Sequence, residues 1–241
     1  MRRSSVVIPL PREHGAWGIL ITSFLVGVLT AHRWSWGIPL LALAGLSAFI
    51  LREALFQVSA RGWRQVSAVF RRWTLAALGL LAFCGLVLIS GLGLEGLLLA
   101  GAAAMVAIVL DLLLRHRRQS RSVPAELLGI AQLTLMAPTA YYVALAGHLS
   151  GPQLRTAVWI WVWLVLYYVG SVPFVKLKLQ QQLRQPVTLS AKLRLGAPAL
   201  AYQGLLLLVV TAAVYRGLIP PLLLLGYLPA AVRTVVGTWR V

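Results

Sequence analysis

The chain has 241 residues, of which 60% are hydrophobic and only 11% charged, whereas a soluble domain is about a quarter charged. Twenty-two Lys and Arg stand against five Asp and Glu, for a formal charge of +17, and mean hydropathy is +0.85. These values exclude a water-soluble globular domain, and one cysteine, Cys84, excludes an intrachain disulfide.

Eight apolar runs follow one another, at 14–31, 36–54, 72–91, 94–114, 124–146, 156–176, 195–215 and 218–238. Each is long enough at 1.5 Å per residue to cross a hydrocarbon core of about 30 Å. Backbone polar groups in lipid must be satisfied within the chain, so the runs predict helices, and they lack the alternation of a membrane barrel. The predicted fold is all-α, a polytopic membrane bundle of about eight transmembrane helices in a single domain over 1–241.

The first run opens on PREHGAW, with Arg12, Glu13 and His14 at its mouth. Arg12 and Glu13 interrupt the apolar region and no small-residue cleavage site follows, so a removed signal is not expected. The second run ends on Arg52 and Glu53, followed by the basic stretch ARGWRQVSAVFRRW. The third holds Cys84. The fourth carries Asp111 and, four residues on, Arg115.

The fifth, PAELLGIAQLTLMAPTAYYVALAG, sets Glu126, Gln132 and Thr134 at helical spacing, and Pro138 predicts a kink. The sixth ends in YYVGSVPFVKLKL, where Gly170 and Pro173 break regularity before Lys176 and Lys178, which are assigned to the loop that follows. Trp34, Trp36, Trp159, Trp161 and Trp163 read as an aromatic belt at the outer interface.

The basic residues set the orientation. All Lys and Arg except Arg33, Arg155 and Arg216 fall at the two ends of the chain or in the connections after runs two, four and six. By the positive-inside rule both termini are cytoplasmic, in a bacterial inner membrane. The basic excess then reflects topology and attraction to anionic membrane lipids. A nucleic-acid partner is not expected, because the charges sit in short juxtamembrane loops.

The runs also divide into four plus four, as halves 1–118 and 119–241. Pro11 and Glu13 open one half as Pro124 and Glu126 open the other, and Arg64-Gln65 matches Arg184-Gln185. An even number of spans per half implies a parallel repeat.

Intramembrane carboxylates are costly and mark function by default. Glu13, Glu53, Asp111 and Glu126 all fall at helix ends on the basic side, while Glu95 alone is on the other. The bland reading is that Glu13 and Glu126 favour helix starts and that Glu53 and Asp111 hold loop arginines. The sharper reading is a polar cavity open to the cytoplasm. Its ligand-binding candidates are Arg12, Glu13, His14, Arg52, Glu53, Asp111, Arg115, Glu126, Gln132, Lys176 and Lys178. No catalytic residue, cofactor or metal is assigned, since His32, His116 and His148 show no ligand spacing.

The PREHGAW entrance, together with AELLGIAQLTLMAPTAYYVA and YVGSVPFVKLKL, resembles the YwiC-like family of bacterial integral membrane proteins. The fifth run and the two long basic loops are similar in architecture to UbiA-type intramembrane prenyltransferases. The latter resemblance implies a lipid-facing cavity for an isoprenoid, with aspartate-rich loops that hold Mg²⁺. The loop after run two has no aspartate and the loop after run six no acidic residue. Hard cations need several oxygen ligands, so a paired-metal site is not expected, and Arg and Lys are left to receive an anionic head directly.

The resulting expectation is a UbiA-like bundle that binds an amphipathic isoprenoid, quinone-like or lipid-like ligand. An enzyme of this kind would be a membrane transferase without the usual metal motifs. Two alternatives stand beside it: a small proton- or cation-coupled transporter, and a non-catalytic subunit of a membrane complex. A transporter calls for polar groups near the membrane midplane, and few besides Gln132, Thr134 and Gln203 are there.

Overall fold

The computed structural model describes residues 14–116, 122–184 and 188–239, without the side chains of His14, Arg61, His116, Arg184 and Leu189. Every regular element among the described residues is helical. The eight apolar runs become α1 (His14–Ala31), α2 (Gly37–Arg61), α3 (Ala68–Leu86), α4 (Leu97–His116), the pair α5 (Val123–Thr134) and α6 (Met136–Ala144), the pair α7 (Gly151–Val169) and α8 (Ser171–Arg184), α9 (Leu189–Tyr215) and α10 (Leu222–Trp239). Seven of the resulting segments are long and apolar enough to cross a membrane. The shorter α1, with 18 residues, is about 27 Å long at 1.5 Å per residue.

Two breaks have a local cause. A proline lacks the N–H that would reach the carbonyl four residues back, and its ring crowds that carbonyl. Pro138 falls four residues after Thr134, where α5 ends, and Pro173 falls four after Val169, where α7 ends. Several boundaries differ from the sequence reading: α2 runs on past the second apolar run to Arg61, so that Arg52 and Glu53 lie within it, and α9 begins at Leu189, ahead of Lys192 and Arg194. Lys176 and Lys178 lie on α8 and not in a loop, because the helix runs on through KLKLQQQLR to Arg184. Lys, Leu and Gln are good helix formers, and Leu177 and Gln181 are buried, so packing carries the helix past the apolar run.

The chain forms two compact units that divide inside α7, between Val162 and Trp163. In the first, α1 packs along α6. A Cβ on Gly27 would overlap the carbonyl oxygen of Ala137, so only glycine permits this approach. Ile38, Leu41, Leu88, Leu94 and Val143 form the main core. Helix α2 lies along α3, whose N-cap Ser67 accepts from Phe70 N–H at 3.1 Å. Helix α4 leans on α5 and meets α2 only sparsely, and it turns Leu99, 78% exposed, outward.

In the second unit, α8, α9 and α10 pack with the end of α7 around Leu206, Val210 and Tyr227. Tyr202 and Tyr227 donate to the carbonyls of Leu166 and Trp163 at 2.6 and 2.8 Å. Lys178 Nζ and Gln181 Nε2 donate to the Gly237 carbonyl, at 2.8 and 3.2 Å.

The tryptophans differ in their surroundings. Trp34 and Trp36 are exposed, but Trp161 is half-buried and donates to the Ala131 carbonyl at 3.1 Å. It lies ten residues into α7, about 15 Å along the axis.

Candidate functional site

On a helix, residues four apart share a face. Arg52 and Phe56 are such a pair on α2, and Asp111 and Arg115 on α4. Where the two helices meet, the four side chains form a knot. The Asp111 carboxylate is 2% exposed and receives Arg52 Nη2 on Oδ2 at 2.8 Å and Arg115 Nε on Oδ1 at 3.2 Å. Both guanidinium groups rest on the Phe56 ring, with Cζ 4.8 Å (Arg52) and 3.7 Å (Arg115) from its centroid. A buried carboxylate is tolerated when it is paired in this way. The arrangement joins two helices that otherwise touch little.

Helix α5 closes the third side. A Cβ on Gly129 would lie 3.6 Å from Arg52 Nη2, so the glycine lets α5 run close to the guanidinium. Gln132 lies one turn further along that face of α5. Its Oε1 is buried and has no hydrogen-bond partner among the described residues.

Arg52 and Gln132 face a slot of about 600 Å³ bounded by α2, α3, α4, α5 and α6, with Leu20 of α1 at its edge. Its walls are apolar, and small residues, among them Ala44, Ala48, Gly85, Gly101 and Ala104, open it between the larger side chains. A Cβ on Gly85 or Gly101 would meet nothing within 4 Å, which explains the void. The lining runs from Leu41 to Arg52 on α2 and from Leu97 to Ile108 on α4. That is about 16 Å at 1.5 Å per residue, roughly half of a hydrocarbon core of about 30 Å. The only other polar side chain in the lining, Thr139, donates its hydroxyl to the Leu135 carbonyl at 2.8 Å. The slot is therefore an apolar hollow with a cation and an amide at its basic end.

Of the residues singled out in the sequence, Arg52, Asp111 and Arg115 come together in the knot and Gln132 lines the slot. Glu53, one residue from Arg52 and so about 100° round the helix, accepts from Gln57 Nε2 on its own helix at 3.1 Å. Glu126 sits in the first turn of α5, behind the N-cap Ser122, whose hydroxyl accepts from Ala125 N–H at 3.4 Å. Lys176 and Lys178 belong to the second unit. Arg12 and Glu13 lie outside the described residues, as does the His14 side chain. No three His, Cys, Asp or Glu among the described residues are close enough to share a metal ion. Sequence reasoning missed Phe56 and Gly129. The four-residue step from Arg52 to Phe56, parallel to that from Asp111 to Arg115, was the available signal.

A family model described as YwiC-like protein matches residues 10–141, more than half of the chain. The chain belongs to the YwiC-like family. Every slot-lining residue, from Leu20 to Thr139, falls within the matched segment, as does the whole knot. No curated protein and no solved structure matches the chain. With seven helical segments among the described residues long and apolar enough to span, this YwiC-like chain is a multi-pass integral membrane protein.

Proposed function

We propose that the first unit binds a single-tailed amphipathic ligand, an isoprenoid or other lipid-like chain, with its polar head toward Arg52 and Gln132 and its tail along the slot. The observation that carries this reading is Gln132. A buried amide oxygen without a partner costs about 1–3 kcal/mol, and here the amide borders an otherwise apolar hollow of about 600 Å³. A ligand with a hydrogen-bonding head offsets that cost, and small apolar walls suit a tail about one leaflet deep. The proposal rests on the slot and not on the UbiA-type resemblance, which no comparison supports. The skew of basic residues favours a bacterial cytoplasmic membrane with both termini inside, which sets the head at the cytoplasmic end.

Gly101→Phe tests the reading, because Gly101 lines the slot and a Cβ there meets nothing within 4 Å, so the ring is added at an open point of the wall. The purified protein would be exposed to a photoactivatable isoprenyl alcohol and the cross-linked peptides mapped by mass spectrometry. Labelling of residues 97–108 should fall several-fold in the variant. Equal labelling in both proteins would remove the slot as the binding site.

A further inference from the structure

A second cavity, of about 620 Å³, lies along the same two helices beyond the knot, nearer the basic ends of α2 and α4. Phe56, Ser59 and Ala60 line it from α2, and Leu112, Leu113 and Arg115 from α4. Its one charged wall is Arg115, and that side chain is held in an unusual way. Its Nε is engaged by Asp111 and its face lies 3.7 Å from the Phe56 centroid, so two contacts fix the plane of the guanidinium. Both terminal nitrogens are left without a hydrogen bond among the described residues, and 38% of the side chain is exposed.

A fixed guanidinium with two free terminal nitrogens matches the paired oxygens of a phosphate or carboxylate. An arginine free in solution loses conformational entropy on making such a contact, whereas Arg115 is already ordered by Asp111 and Phe56. The surroundings favour one source of the anion. Val109 and Leu113 are 48% and 55% exposed beside the cavity, and an acyl chain gains by covering them while a free ion gains nothing. The cavity also lies at the helix ends that carry the basic loops, where a lipid phosphate sits at the edge of its leaflet.

We infer that this cavity is a phospholipid site. The phosphodiester oxygens take both terminal nitrogens of Arg115, and an acyl chain runs over Val109 and Leu113. The site is separate from the slot and does not depend on it.

Native mass spectrometry of the full chain, titrated with phosphatidylglycerol in mixed micelles, tests the assignment. The natural protein should retain one tightly held lipid. Arg115→Gln should weaken that binding about tenfold or more, since hydrogen bonds to a charged partner are lost. Arg115→Lys keeps the charge without the planar fork and should fall between the two. Arg72→Gln removes an exposed basic residue elsewhere and should change little, and Gly101→Phe in the slot should leave retention unchanged. Equal losses in Arg72→Gln and Arg115→Gln would reduce the effect to bulk charge and overturn the site. Displacement of the lipid by inorganic phosphate at comparable concentration would show a free-anion site instead. A lysine variant that folds and binds as tightly as the natural protein would refute the role of the fork.

Discussion

The two units use the basic side chains of their helices in different ways. In the second unit Lys178 and Gln181 donate to the Gly237 carbonyl, near the end of α10, where cations and donors are favoured. Those donors are spent on backbone, and the packing around them is close: a Cβ on Gly237 would meet the Phe174 ring. In the first unit Arg52 and Arg115 share a side-chain carboxylate, and cavities lie on both sides of the knot. A cation on a helix is thus a cap in one place and part of a candidate binding site in the other. What separates them is whether the cation bonds to backbone, and whether small residues leave a hollow beside it.

The largest expected effect comes from breaking the knot. Asp111→Ala leaves two arginines without their shared carboxylate, and removing one partner of a buried pair costs about 3–5 kcal/mol. Lys178→Met removes the charged bond to the Gly237 carbonyl, a kind of bond worth about 1.5–3 kcal/mol, and should fall at the lower end because Lys178 is only half-buried. Thermal unfolding in detergent should therefore rank Asp111→Ala well below Lys178→Met. A reversed order would mean that the cap, and not the knot, holds its unit together. Replacing Arg52, Asp111 and Arg115 together by Met, Leu and Leu should recover much of the loss, as apolar substitutes for buried ion pairs often do.

Glycine positions sharpen the contrast between packed seam and hollow. Gly27→Ala forces a methyl onto the Ala137 carbonyl and should cost at least about 1–3 kcal/mol, the usual penalty of overpacking. Gly101→Ala adds the same methyl to open space and should be neutral or stabilising by up to about 1 kcal/mol, from the better helix propensity of alanine. Similar unfolding temperatures for the two variants would show that the slot is not open at Gly101.

The sequence made the helices legible because each is a long apolar run, and the breaks at Thr134 and Val169 because proline acts locally. Half of the knot was equally local: Asp111 and Arg115 are four residues apart on one helix. That Arg52 of α2 meets them was not legible, since nothing in either run names its neighbour. The slot was hidden for the same reason. Alanine and glycine on three helices read as packing residues until the helices are set around a common space. The end of α8 was misjudged because hydropathy falls at Lys176 while helix propensity does not.

The smallest expected effect belongs to Glu53, and it separates the two readings of the carboxylates. Glu53 and Asp111 lie in the C-terminal halves of α2 and α4, and by sequence they were equal candidates. In the fold, Asp111 is buried and shared between two arginines, whereas the hydrogen bond resolved for Glu53 is to Gln57 on its own helix. A pair four residues apart on a helix contributes about 0.2–0.5 kcal/mol, and Glu53→Gln keeps an acceptor for the same bond. The substitution should shift unfolding by no more than that amount, with labelling of the slot and retention of phosphatidylglycerol unchanged. A loss comparable to that of Asp111→Ala would place Glu53 in the same electrostatic unit as the knot and restore a ring of carboxylates as the working site. A silent substitution leaves the chemistry to Arg52, Asp111, Arg115 and Gln132.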